Sequence, residues 1–311
     1  MIEVIKPGPY ATVQDLGRPG YAHLGVPHSG AADAAALRLA NRLVGNPEGH
    51  AGIELTFGGA HLAFRAGAWV SVTGAPCPLT APRRVGPPRV TPVDTGLEAP
   101  DRAGMGAPDR AGMGAPFWVP AGGELRFGTP ARGLRTYVAV RGGIAVEQVL
   151  GSRSTDSLSG LGPPVLRAGT VLPVGGASGL TEISVDVAPL PEPDTAVLRV
   201  TPGPRDDWFT PAALKDLCHH PYQVTQDSNR VGVRLSGPVL ERARQGELPS
   251  EGMVAGAVQV PPSGQPIIFL ADHPPTGGYP VIAVLSAADL STAAQLRPGA
   301  TTRFTLHKTP T

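Results

Sequence analysis

Lysine is nearly missing from this chain: Lys6, Lys215 and Lys308 stand against a basic complement that is otherwise arginine. None of the three follows a glycine pair, so there is no G-x-x-x-x-G-K-[ST] phosphate loop. None is flanked by methionine, as a biotin-carrying lysine typically is, which excludes covalently attached biotin. Charge of either sign is scarce too, at 16% with a net +1, so no nucleic-acid or membrane surface is held by electrostatics. Only Cys77 and Cys218 are present, far apart, which argues against a disulfide framework and for a reducing compartment. No apolar run reaches membrane-spanning length. The opening MIEVIKPGPYATVQD has no basic region followed by an apolar core, so no signal peptide is expected and a cytoplasmic location is. Strand–GxGxxG–helix, G-x-S-x-G and H-x-x-x-H patterns are all missing. His219 and His220 adjoin Cys218, but neighbours on a strand point to opposite faces, which is poor ligand geometry; no metal site is expected.

What the chain has in abundance is punctuation. Its Gly 41 and Pro 36 break the apolar residues into short runs, a pattern of strands joined by tight loops. The expected fold is mainly β with a few short helices. The clearest helix runs from Ala32 to Val44, with Leu37, Ala40, Leu43 and Val44 at helical spacing and Gly45-Asn46-Pro47 as a stop. Shorter helices are expected at Pro211–Leu217, behind Thr210, at Pro238–Arg244 and near Ala287–Gln295.

Two kinds of repetition organise the chain. The octapeptide APDRAGMG occurs at Ala99–Gly106 and again at Ala107–Gly114, too short a unit for a solenoid and read as a duplication in a surface loop. On a larger scale, Ile5-Lys6-Pro7-Gly8-Pro9 is echoed by Val200-Thr201-Pro202-Gly203-Pro204. QD-x-x-R-x-G stands at Gln14–Gly20 and Gln226–Gly232, and VP-x-S-G at Val26–Gly30 and Val260–Gly264. The echoes keep their order, and the Pro-rich bridge Val187–Asp194 lies between the two sets. The reading is two related domains, 1–190 with a repeat-containing loop at 99–116, and 196–311.

Candidate site residues fall on Gly/Pro-framed loops. His28 and Ser29 sit on the first VP-x-S-G loop, where Ser29, and Asp33 beyond it, serve equally well as helix-capping residues. Within QD-x-x-R, Asp15 with Arg18 and Asp227 with Arg230 are expected to hold each other structurally. Arg153 and Ser154, in LGSRST, suit a carboxylate or phosphate, or a solvated loop. The densest polar stretch is Gly252–Leu285, with Gln259, Gln265, Asp272, His273, Thr276 and Tyr279 at the seams between apolar runs, and with Gly277 and Gly278 able to admit a ligand close to the backbone. Asp272, at a strand end, reads as a carboxylate that orients an N–H or acts as a base, or as a cap on the turn before Pro274-Pro275.

The ordered words TVQDLGRPGY, GVPHSGAAD, LANRLVGN, RTYVAVRGGI, LGSRST, SNRVGVRLSG, SEGMVAGAVQVP, GQPIIFLADHPPTGGYP and RPGATTRF resemble the biotin-dependent carboxyltransferase-like family. This family includes the C subunit of bacterial 5-oxoprolinase and the carboxyltransferase part of urea carboxylase. The family usually has threonine where this chain has Pro275. The resemblance implies a pair of cyclophilin-like β-barrels. It implies a 5-oxoprolinase component acting with B-type and A-type partners, with ATP, and Mg alongside it, shared with the B-type partner. Asp272, His28 and Ser29 become the catalytic candidates. Arg153, Ser154, Gln259, Gln265, Thr276, Gly277, Gly278 and Tyr279 become the substrate-binding ones. Transfer of carboxylate from carboxybiotin to urea or a related amide is the alternative, and regulatory binding to a kinase inhibitor a third.

Overall fold

The structure is a computed structural model, and it describes residues 1–81, 112–190, 197–246 and 248–307. The tandem octapeptide as far as residue 111, and residues 191–194 of the Pro-rich bridge, lie outside the described residues.

In the first part of the chain, alternating side chains build two five-stranded sheets. One sheet orders the strands Val171–Leu172, Ile2–Pro7, Ala60–Phe64, Glu124–Phe127 and Leu79–Thr80. The other orders Tyr10–Gln14, Gly52–Thr56, Arg135–Val140, Ala68–Gly74 and Pro116–Val119. Val4, Leu62, Phe64 and Leu125 of the first meet Val13, Ile53, Val72 and Val138 of the second in one core, the packing expected when each strand offers every second side chain to the same side. Arg135–Val140 is buried along its whole length because its other face is covered as well. Tyr137 and Ala139 lie beneath the helix Ala34–Leu43, which is pinned by Ser71 Oγ and Thr73 Oγ1 donating to the Ala40 and Ala36 carbonyls at 2.6 and 2.7 Å.

The second part closes into a seven-stranded barrel, in the order Val197–Pro202, Val281–Leu285, Ala257–Gln259, Ile267–Phe269, Gly232–Ser236, Tyr222–Val224 and Thr301–Leu306. Closure comes from parallel pairing of its first and last strands, Val197 with Arg303 through Val200 with Leu306. Its core of Val200, Tyr222, Val258, Ile268, Ile282 and Phe304 is separate from that of the paired sheets. The expected mainly β chain with few short helices is what forms. The Pro-Gly-Pro echo has a shared cause: a Cβ at Gly8 would stand 2.2 Å from the Gly58 carbonyl oxygen, and one at Gly203 2.3 Å from that of Val281.

Several local expectations change. The cap of the helix Ala34–Leu43 is Asp33, whose Oδ1 accepts from Ala36 N at 3.0 Å, and not Ser29, which is turned into the interior with φ at 54°. The helix expected from Pro211 begins at Ala213 and has no side-chain cap, since Thr210 contributes only its carbonyl. Pro238–Arg244 is not helical: Phe209 and Arg242 form an isolated bridge there, and Leu240 N bonds to the Gly264 carbonyl. Tertiary backbone pairing there outweighs a weak local helical pattern.

Candidate functional site

The first QD-x-x-R motif is a scaffold for the VP-x-S-G loop. Asp15 accepts from Gly17 N, from the Ser152 and Ser154 hydroxyls, and from Arg153 N, at 2.5 to 2.8 Å. Arg18, 1% exposed, donates to the Ser154 and Val149 carbonyls and lies 3.8 Å from Asp156. Backbone bonds from Arg18 N to His28 O and from Ala31 N to Asp15 O then clip the two segments together. A Cβ at Gly17 would stand 2.5 Å from the His28 oxygen, so that crossing requires glycine.

The second motif does something different. Asp227 is exposed, while Arg230 is buried at the junction of the two parts of the chain. Pairing of Gly232 with Phe269, extended by the bond from Asp272 N to Arg230 O, sets Arg230 beside Asp272. Its guanidinium holds Asp272 with Nε and Nη2 at 2.9 and 3.0 Å, and reaches across to Glu54 and to the Gly30 carbonyl. The expected Asp–Arg pair inside each motif therefore does not form; each arginine finds its carboxylate elsewhere in the fold.

Around Arg230 the polar groups form one connected network. Asp272 also accepts from Ser29 Oγ at 2.8 Å and from the amide and hydroxyl of Ser157 at 3.0 and 2.6 Å. Glu54 accepts from Tyr137 Oη at 2.7 Å and Ala32 N at 3.0 Å, with Arg135 Nε 3.5 Å away. Gln295 bridges Asp33 to the Arg135 backbone. Burial by itself would raise the Glu54 and Asp272 carboxyls, but Arg230, joined by Arg135 at Glu54 and by Ser157 at Asp272, holds both below the usual carboxylate range. Asp33 has no ion-pair partner among the described residues, and burial raises it.

Beside this network lies a cleft of about 360 Å³ between the two parts of the chain. Its polar lining is His28, Ser29, Arg38, His273 and Ser291, set among alanines and leucines. His28 is exposed; partial burial of its ring, with His273 nearby, lowers its pKa. His273 is 7% exposed and stacks on Phe269, ring centroids 6.0 Å apart and planes at 27°. Its Nδ1 lies 2.8 Å from the Pro274 carbonyl, which can only accept, so that nitrogen carries the proton. Such a lining can seat a small polar molecule and exchange protons with it.

The family model described as "Carboxyltransferase domain, subdomain A and B" matches residues 24–306. The chain belongs to this carboxyltransferase domain family. It is 36% identical to the C subunit of 5-oxoprolinase from Escherichia coli over 98% of its own length and 90% of that protein's. Among solved structures, that of TTHA0988 is similar with TM-score 0.80 and 35% identity, over 98% of this chain. The Kluyveromyces lactis urea amidolyase is similar with TM-score 0.81 and 29% identity, over 97% of this chain. The chain spans 55% of the TTHA0988 chain and 18% of the urea amidolyase.

Within this carboxyltransferase domain the structure sorts the sequence candidates. His28 and Ser29 line the cleft, and Asp272 lies behind Ser29, fully buried. Arg153 and Ser154 do not line it: Arg153 Nε is tied to the Val146 carbonyl, and the Ser154 hydroxyl to Asp15. Gln265 clasps Gly237, taking its N–H and giving an N–H to its carbonyl. Thr276 and Gly277 pair with Gly252 and Glu251 in a two-stranded ribbon, and Gly278 accepts from Leu248 N. Tyr279 lies under Arg242, 5.9 Å from its ring centroid, and its carbonyl accepts from Gln259. Gly277 admits a neighbouring side chain: a Cβ there would stand 2.8 Å from Gln259 Nε2.

In the sequence, His273 stands in the strongest polar group, with Asp272, Thr276 and Tyr279, but without a specific catalytic or binding role. Sequence reasoning read Arg230 as structural and missed Ser291 and Glu54 altogether. Glu54 carries a usable signal, a lone acid inside the apolar strand Gly52–Thr56. Ser291, on the short helix Leu290–Ala294, carries none. Among the described residues no group of three or more His, Cys, Asp or Glu could hold a metal ion, and no helix is long and apolar enough to cross a membrane.

Proposed function

We propose that this chain is the C subunit of an ATP-dependent 5-oxoprolinase, and that the cleft at His28, Ser29 and His273 holds the cyclic amide. The observation that carries this reading is the 36% identity to the C subunit of the E. coli 5-oxoprolinase across nearly the whole chain, together with a cleft of about 360 Å³ whose lining combines imidazoles, a hydroxyl and apolar walls. Asp272 acts as a positioning residue: it fixes the Ser29 hydroxyl and Ser157, and Arg230 keeps its charge in place.

The cleft by itself does not fit a triphosphate. Arg38, the one arginine in its lining, is paired with Glu48 at 2.7 Å, and the buried Arg18, Arg135 and Arg230 are committed to carbonyls and carboxylates. The amides leading into the helix Ala34–Leu43 are taken as well, Ala32 N by Glu54 and Asp33 N by Tyr137. ATP and its magnesium therefore belong mainly to the B-type partner, and an A-type partner finishes ring opening. Transfer of carboxylate from carboxybiotin to urea is the second reading, supported by the likeness to the K. lactis urea amidolyase.

The test is ADP release by the complex co-purified with B-type and A-type partners. The first reading expects ADP release that depends on 5-oxoproline and is lost when this chain is left out. Release that ignores 5-oxoproline, with urea consumed in the presence of carboxybiotin, would replace it by the second.

A further inference from the structure

The reactive end of the cleft contains a histidine whose ring is held more firmly than a packing role requires. His273 is fixed by its stack on Phe269 and by the bond from Nδ1 to the Pro274 carbonyl. With Nδ1 committed as a donor, the neutral ring has its lone pair on Nε2. That nitrogen has no hydrogen-bond partner among the described residues, although the side chain is 7% exposed and lines the cleft. It is not one of the buried unpartnered atoms of the described residues, so it is open to the cleft, and an acceptor open to a cleft is a place for a ligand donor. Ser29 cannot supply that donor, because its hydroxyl proton is directed to Asp272 and the Thr155 carbonyl.

We propose that His273 Nε2 accepts the N–H of a bound cyclic amide or urea and takes its proton during the reaction. This rests on the reading of the cleft as an amide site. In the step, the amide N–H bond breaks and an Nε2–H bond forms. The electron pair stays on the amide, shared between nitrogen and carbonyl oxygen, so either atom can attack the terminal phosphoryl group of ATP or the carboxyl group of carboxybiotin brought by the partner; the bond to ADP or to biotin breaks, and that group leaves with its electron pair. The imidazolium that results is held in orientation by Pro274 O. His28, in the same lining and more exposed, is placed to pass the proton to solvent.

The experiment uses the assembled complex. His273→Gln offers an acceptor oxygen but cannot take a proton, so kcat should fall by about a hundredfold while KM stays within a few-fold. His273→Ala should lose both, and added imidazole should restore part of the rate. Unchanged kcat in His273→Gln overturns the proposal. A separate arm does not depend on turnover. In nitrogen-15 correlation spectra of the labelled chain in the complex, the His273 Nε2 resonance should move on adding 5-oxoproline and not on adding its N-methyl analogue, which lacks the N–H. No movement with 5-oxoproline or urea, or equal movement with the N-methyl analogue, overturns it too. A wild-type complex that turns over neither amide, yet shows the selective shift, would sink the proposed activity and leave amide recognition by His273 in place.

Discussion

Asp272 carries the largest consequence of any single side chain. It is fully buried, and its two oxygens are shared among Arg230, Ser29 and Ser157. Removing one member of a buried ion pair leaves the other uncompensated. Asp272→Asn should therefore destabilise the fold by about 3 kcal/mol, at the low end of the usual range because Glu54 still faces Arg230. Urea unfolding checks this; an unchanged midpoint with lost turnover would mean that Asp272 acts on substrate directly. Ser29 gives a second test at this scale. Its φ of 54° is a left-handed conformation that costs a non-glycine residue about 1 kcal/mol. Ser29→Gly and Ser29→Ala both lose the hydroxyl, but only glycine is relieved of that strain. The glycine variant should unfold at higher urea than the alanine variant, and equal midpoints would count against the left-handed backbone.

Among the elements, the paired strands Gly232–Ser236 and Ile267–Phe269 show how a polar residue at a seam can be taken up by the backbone beside it. Gln265 serves both backbone groups of Gly237 with its side-chain amide, at 2.8 and 3.1 Å. Losing both bonds in Gln265→Ala should cost about 1 to 2 kcal/mol, since the pair is only part-buried. Turnover and KM of the complex should not change. A raised KM at unchanged stability would return Gln265 to the substrate. The ribbon at Thr276–Gly277 is similar: Pro and Gly set its turns, and backbone pairing with Glu251–Gly252 uses its polar groups.

Across the whole molecule, the two parts of the chain meet through buried charge. Glu54 and Arg135 from one part face Arg230 and Asp272 from the other. Glu54 and Asp272 are held below the usual carboxylate range in the fold, so the unfolded chain binds more protons than the native one as the medium is acidified. Their contribution is present above about pH 4, where unfolded carboxyls are ionised, and is lost as pH falls through the lower folded values. Asp33, raised by burial, works the other way: its contribution is greatest in acid and fades as pH rises through its folded value. Thermal midpoints should therefore fall below about pH 4, and Glu54→Gln should flatten that acid loss while lowering the midpoint at pH 7. An acid limb as steep in Glu54→Gln as in the wild type would remove Glu54 from the cause.

Much of the architecture was legible because its causes are local. Apolar alternation, glycine and proline limits, and the stop at Gly45-Asn46-Pro47 act over a few residues. They marked the helix Ala34–Leu43, expected from Ala32 to Val44, to within two residues at either end. The ordered family words placed the chain in its family by the same kind of short-range text. The site was legible only in part. His28 and Ser29, which line the cleft, stand out in the sequence because they sit on a motif, but Ser29 meets Asp272 across 243 positions, and Arg230 meets Glu54 across 176. No spacing rule reaches that far. Which carboxylate neutralises which arginine depends on how the barrel docks against the paired sheets and on which charges lose their water there. Short-range text in the sequence set most of the strands and the loops that bear polar residues. It took the docking of the two parts to leave Arg153, Gln265 and Tyr279 bound to other neighbours and to set His273 in the lining of the cleft.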